Sequence, residues 1–309
     1  MNIGPSRCWP RVAVGVYGRG VTDLPPLPER PADGHKGTFG KLLVVGGSRD
    51  MIGAPMLAAK AAYRAGCGYV IVAMPRPVLA AGLTVLPEAV GLGLDEDDDG
   101  RLTEVAREAD ALVIGPGLGR QPGAGDRVRA LLKLGRPTVL DADGLTGLAG
   151  ELADVLRGHG RVVLTPHPGE ARTLTGEDVP TDDAGRRAFA ERWAGRWGGT
   201  LLLKGARTVI TDGRDTFINT TGDSTLAKAG SGDVLSGLIG TFLAQGLDPL
   251  PAARLAAHAH GLAGEHAGLM WTKRGAMAGD VCDAIPHALA AMDEPPTPPV
   301  REHRWDDGP

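Results

Sequence analysis

The chain has 309 residues, with 33 Lys and Arg against 37 Asp and Glu, so its formal net charge is −4. That balance offers no basic surface for nucleic acid or an anionic membrane, and 42% hydrophobic with 23% charged residues is ordinary for a soluble domain. Cys8, Cys67 and Cys282 lie far apart and form no CxxC pair, which argues against a zinc site or disulfide framework and fits a reducing, cytoplasmic setting.

Residues 1–32 are rich in Pro and Gly without a sustained period and read as an N-terminal arm, partly disordered. Its VAVGVYGRGV stretch is short and broken by Arg19, a poor signal peptide, and no apolar run approaches membrane-spanning length. From Lys41 onward, short apolar runs alternate with helical patterns: KLLVVGGS, GYVIVAMP, ADALVIGPG, PTVLDADG, RVVLTPHPGE and TLLLKG. None shows polar alternation, as expected of strands buried on both faces, so the pattern predicts an α/β fold with a mostly parallel sheet. ARTVITDG and DTFINTTG predict an antiparallel pair turning at Asp212-Gly213. Helices follow over about Ser231–Gln245, Pro249–Ala267 and Ala276–Met292. Residues 293–309 are rich in Pro and charge and read as a disordered tail.

Polar signals cluster where the apolar runs end, at Gly46–Ser48, Gly115–Gly119, Asp141–Leu145, His167–Glu170 and Lys204–Gly205. In an open parallel sheet those ends share one edge, where ligands bind. The most informative stretch comes later, AGSGDVLSG at 229–237. Gly230 and Gly232 let successive backbone N–H groups point into one concavity, and the following helix adds the positive end of its dipole. Asp233 places a carboxylate where an anion is expected, which suits a general base for phosphoryl transfer to a hydroxyl; a first-turn Asp placed by the dipole alone is the competing reading. Asp141 and Asp143 either face the cleft together, binding magnesium through water or a ribose, or Asp143 caps the next helix. Pro166 and Pro168 hold His167 in an extended turn where its imidazole can reach a ligand, and Lys204, at the end of a buried strand, requires an anion such as a nucleotide phosphate or Glu170. His258, His260 and His266 lack an accompanying carboxylate and read as solvated or packing residues, so no metal ligands are assigned.

The ordered set HKGTFGKLLVVGGSRDMIGAP, GPGLG, DADGL, LTPHPGE, LLKGARTVI and NTTG…AGSGDVLSGLIG resembles the ADP/ATP-dependent NAD(P)H-hydrate dehydratases, which are carbohydrate-kinase-like proteins. The resemblance implies a ribokinase-like three-layer α/β/α domain over residues 33–292, cytoplasmic, tetrameric and served by a separate epimerase. It implies repair of hydrated NADH and NADPH, with ADP or ATP as co-substrate and magnesium as cofactor. It further implies that Ala54, Gly117, His167 and Asp233 contact the hydrated dinucleotide. Lys204, Gly205, Ala206, Arg207, Thr208 and Gly232 would bind the nucleotide. A small-molecule kinase of the same fold, for a vitamin precursor or sugar, is the alternative. The family commonly carries an amide where this chain has Asp223, so that carboxylate has three readings: repulsion of phosphate, contact with magnesium, or capping of a local turn.

Overall fold

Each apolar run from Lys41 onward forms a strand whose alternate side chains enter opposite cores. On β1 (Lys41–Val45), Leu42 and Val44 join one buried cluster and Leu43 and Val45 the other. The computed structural model describes residues 24–95, 98–119 and 123–293. Most of the expected arm, residues 1–23, and the expected tail, 294–309, lie outside the described residues. The described part of the arm is placed against the body, where Arg30 stacks 3.9 Å over Phe39 and donates Nη1 to the Gly66 carbonyl at 2.8 Å.

The remaining strands are β2 (Tyr69–Pro75), β3 (Val90–Leu94), β4 (Ala111–Ile114), β5 (Thr138–Leu140), β6 (Val162–Leu164), β7 (Thr200–Leu203), β8 (Val209–Thr211) and β9 (Thr216–Ile218). They form one sheet in the order β3-β2-β1-β4-β5-β6-β7-β8-β9, parallel through β7 and antiparallel for the last two pairings. β3 is an addition to the six runs recognised in the sequence.

One face is covered by α1 (Gly53–Arg64), α9 (Ser231–Ala244), α10 (Pro249–Gly275) and α11 (Ala278–Asp293). The opposite face carries α3 (Asp99–Glu108), α4 (Ala124–Leu132), α7 (Pro168–Thr175) and α8 (Asp183–Trp197), with the short α5 (Ala142–Thr146) and α6 (Leu152–Val155). Helix α2 (Arg76–Val85) joins β2 to β3. This is the three-layer arrangement expected. Helices α1 and α9 pack backbone to backbone, since a Cβ at Gly237 would lie 2.1 Å from the Ala58 carbonyl. Helix α10 runs past Ala267 to Gly275 and is kinked at Thr272, whose φ of 64° is outside the helical region.

Candidate active site

The order of strands reverses at β1, which lies between β2 and β4, and a crevice opens where the two flanking connections leave in opposite directions. Its walls touch closely. Gly47 N–H donates to the Pro116 carbonyl at 2.9 Å, and a Cβ at Gly46 would sit 2.1 Å from that oxygen. Gly115, at φ +126°, brings the next connection against the end of β5, where an added Cβ would fall 1.8 Å from the Asp141 carbonyl. Here glycine is required by contact as well as by backbone angle. Across the crevice, Gly117 faces the first turn of α1, and its absent Cβ would meet the Ala54 methyl at 3.2 Å. Two of the expected dinucleotide contacts are therefore neighbours.

Asp141 organises the other side. Its side chain is almost wholly buried and accepts three hydrogen bonds: from Lys204 Nζ at 2.9 Å, Thr165 Oγ1 at 2.9 Å and Ser236 Oγ at 2.7 Å. Burial alone would raise this carboxyl, but the Lys204 cation and the three donors outweigh it and hold the group below the usual carboxylate range. Burial likewise opposes the Lys204 charge, and Asp141 with Glu170 reverses the effect and raises the ammonium. The expected anion for Lys204 is thus Asp141 first, with Glu170 Oε2 at 3.8 Å second. Asp143 turns elsewhere and accepts the Gly119 N–H at 2.9 Å, so the two aspartates do not face the cleft as a pair.

Asp233 occupies the first turn of α9, two residues beyond the start of the helix, with Gly230 in the left-handed region at φ 89° as its N-cap. Gly232 leaves room for Lys204, whose Nζ would be 3.2 Å from a Cβ placed there. Burial first, and then the negative charges of Asp141 and Glu170, push the Asp233 carboxyl up to about 7 against the opposing charge of Lys204. A carboxyl that titrates near neutrality is suited to exchange a proton with a hydroxyl at working pH.

His167 is fixed by a device that its flanking prolines did not reveal. It is the N-cap of α7, with Nδ1 accepting the amides of Gly169 at 3.0 Å and Glu170 at 3.2 Å, while Glu170 Oε2 accepts the His167 N–H at 2.8 Å. With Nδ1 committed as acceptor, the neutral ring carries its proton on Nε2, which is 3.6 Å from Glu170 Oε1. Glu170 therefore links His167 to Lys204.

Lys204–Thr208 is the five-residue turn between β7 and β8, framed by the Leu203–Val209 pair. Ala206 is exposed at its tip. Gly205 passes Arg186 so closely that a Cβ would meet its Nη2 at 2.6 Å, and Thr208 Oγ1 closes the turn on the Gly205 carbonyl at 3.0 Å. Arg207 pairs with Asp183 at 2.8 Å. Asp223 caps the short 3-10 turn Ser224–Leu226 through the Thr225 N–H at 2.8 Å and pairs with Lys273 Nζ at 2.9 Å. That is the capping reading, with a cation the sequence did not point to. His260 proves buried rather than solvated, with Nε2 3.3 Å from Ser231 Oγ, and burial lowers it to about 4.

The sequence model described as NAD(P)H-hydrate dehydratase matches residues 42–287. The chain is 45% identical over 279 residues to the bifunctional NAD(P)H-hydrate repair enzyme of Moorella thermoacetica, covering 87% of this chain but 52% of that one. It thus spans about half the length of the bifunctional relatives. To the ADP-dependent (S)-NAD(P)H-hydrate dehydratase of Neisseria meningitidis serogroup B it is 39% identical, covering 82% of this chain and 86% of the relative. Its fold superposes with a TM-score of 0.73 and 32% identity on the ADP/ATP-dependent NAD(P)H-hydrate dehydratase from Bacillus subtilis co-crystallised with ATP and Mg2+, covering 87% of this chain and 95% of that one.

Proposed function

This chain belongs to the NAD(P)H-hydrate dehydratase family, and from that membership we propose that it returns the S form of hydrated NADH or NADPH to the dihydronicotinamide. A nucleotide, ADP by preference, is consumed to AMP and phosphate. The observation that carries this reading is Asp233, a carboxyl near neutrality in the first turn of α9, beside a lysine and a backbone cradle suited to phosphate.

The hydroxyl oxygen at C6 of the reduced ring attacks the terminal phosphorus of ADP, and the bond to the AMP oxygen breaks. Asp233 takes the hydroxyl proton. The ring nitrogen then expels phosphate as the C6–O bond breaks, and loss of the C5 proton restores the double bond. Ala54 and Gly117, at the switch point, admit the hydrated dinucleotide. His167 offers it an Nε2–H donor. Lys204, Gly205, Ala206, Arg207, Thr208 and Gly232 hold the nucleotide. Within this set, the Asp183 pair makes the Arg207 guanidinium a support for the turn, and Lys204 supplies the positive charge.

Magnesium is the cofactor proposed with the nucleotide. Among the described residues no group of three or more His, Cys, Asp or Glu could hold a metal ion, so the ion would rest mainly on the nucleotide's phosphates. A tetramer is the proposed assembly, and an epimerase supplying the S form is the proposed partner activity. Among the described residues, no helix is long and apolar enough to cross a membrane.

The test is purified protein with S-NADHX, ADP and magnesium, following the return of dihydronicotinamide absorbance. AMP and phosphate should appear in step with NADH. Accumulation of a stable phosphorylated product would replace this reading with a kinase.

A further inference from the structure

Asp141 is not among the residues expected to contact either ligand, yet it binds groups from three elements that carry them. Lys204 follows β7, Ser236 lies one turn beyond Asp233 on α9, and Thr165 follows β6. A buried ion pair is seldom kept for stability alone, because apolar groups of like volume often serve as well. This one is fully satisfied and stands at the carboxyl edge of the sheet. Its backbone is equally constrained: Ala142, the next residue, holds a positive φ of 46°, and Gly144 N–H bonds back to the Asp141 carbonyl at 3.0 Å.

We propose that Asp141 is a positioning residue for the reaction, holding the Lys204 ammonium against the first turn of α9 and setting the charge felt by Asp233. The inference rests on the dehydratase reading for its kinetic consequence. Its geometric part stands on the three hydrogen bonds alone. The Ser236 hydroxyl also lies 3.1 Å from the Gly232 carbonyl, so the carboxylate steadies the same turn of helix that bears the base. The charged groups bearing on Asp233 are Asp141 from the end of β5, Glu170 from α7 and Lys204 from β7, and the Cys282 thiol of α11 faces it uncharged. Asp141 and Glu170 push the base up and Lys204 pulls it down. Asp141→Asn removes one of these charges with little change of shape.

Asp141→Asn decides the matter in the full chain without nucleotide. Carbon-13 NMR titration of the Asp233 carboxyl should move from about 7 in the wild type to a midpoint lower by about one pH unit, the scale of a neighbouring charge. The acid limb of kcat/KM should move with it. An unmoved midpoint in folded Asp141→Asn protein overturns the proposal. Ser236→Ala supplies a second arm that keeps the charge but loosens its anchor. ADP binding by calorimetry should weaken about 3–10-fold, a fraction of the value of one hydrogen bond to a charged group because the bond is lost in the free protein as well, with the acid limb unchanged. Unchanged ADP affinity, or a displaced limb, counts against the proposal. If wild-type protein does not dehydrate S-NADHX, the dehydratase reading fails, while the titration still decides the role of Asp141.

Discussion

Asp233 carries opposite demands of stability and chemistry. Its folded value of about 7 stands above the ordinary 3.8, so between those values the native state keeps a proton that the unfolded chain has released. Stability from this group therefore falls as pH rises through that window, and the loss is complete above about 7. Asp233→Asn should raise the thermal midpoint at pH 8, leave it nearly unchanged at pH 4, and lower turnover about 10²–10⁴-fold. Calorimetric scans at both pH values and single-turnover assays check the two halves. In the wild type, kcat/KM should rise with pH to a plateau through an acid limb near 7, read from a pH–rate profile. Asp223→Asn removes a partly exposed pair with Lys273 and leaves an amide able to cap the same turn, so stability should change by less than about 1 kcal/mol. Its magnesium dependence in nucleotide titrations should be that of the wild type. At this scale the sequence disclosed donors better than partners. Asp233 and Lys204 were readable because a Gly-rich turn and a buried strand end announce unusual chemistry. The Asp141–Lys204 contact spans 63 positions, and no local pattern encodes such a meeting. The prolines beside His167 mark it out in the sequence, whereas Glu170, three residues on, is the sign of its capping role.

Among the elements, the six long apolar runs declared themselves because burial on both faces leaves an uninterrupted hydrophobic signature. β3 did not, because VGLGL interleaves two glycines with its leucines and resembles a turn. The apolar pattern of helix α10 gives out at Ala267, since Gly268 follows and Leu269 and Trp271 point outward, out of phase with the buried face. The glycines separate into those that contact demands and those it does not. Gly115→Ala forces a Cβ to 1.8 Å from the Asp141 carbonyl at a φ of +126° and should cost about 3 kcal/mol, overpacking and backbone strain together. Gly195, exposed within α8, has nothing within 4 Å of the Cβ position, and Gly195→Ala should stabilise by roughly 0.5–1 kcal/mol. Denaturant unfolding of the two variants, measured side by side, tests the distinction.

For the molecule as a whole, the fold class was apparent from alternation, but strand order was not. The reversal at β1 that creates the crevice depends on which neighbours pair, and similar apolar runs permit other arrangements. Nucleotide binding to the assembled edge should be visible globally: ADP at about 100 times its Kd should add about 2.7 kcal/mol to unfolding stability, measured by denaturant titration with and without ADP. Among the described residues, the same open topology leaves the sheet with two outermost strands, β3 and β9. Each is a potential template for a foreign strand, and each has an arginine close by, the kind of charge that discourages such pairing. Phe217 of β9 lies beneath the Arg254 guanidinium at 3.3 Å, and the Gly93 carbonyl of β3 accepts Arg76 Nη2 at 3.2 Å. The carboxylates of Asp95 and Asp98 hold that arginine in place. Replacing the cation beside β3 should therefore promote aggregation from that side of the sheet, a cost that no assay of turnover would register.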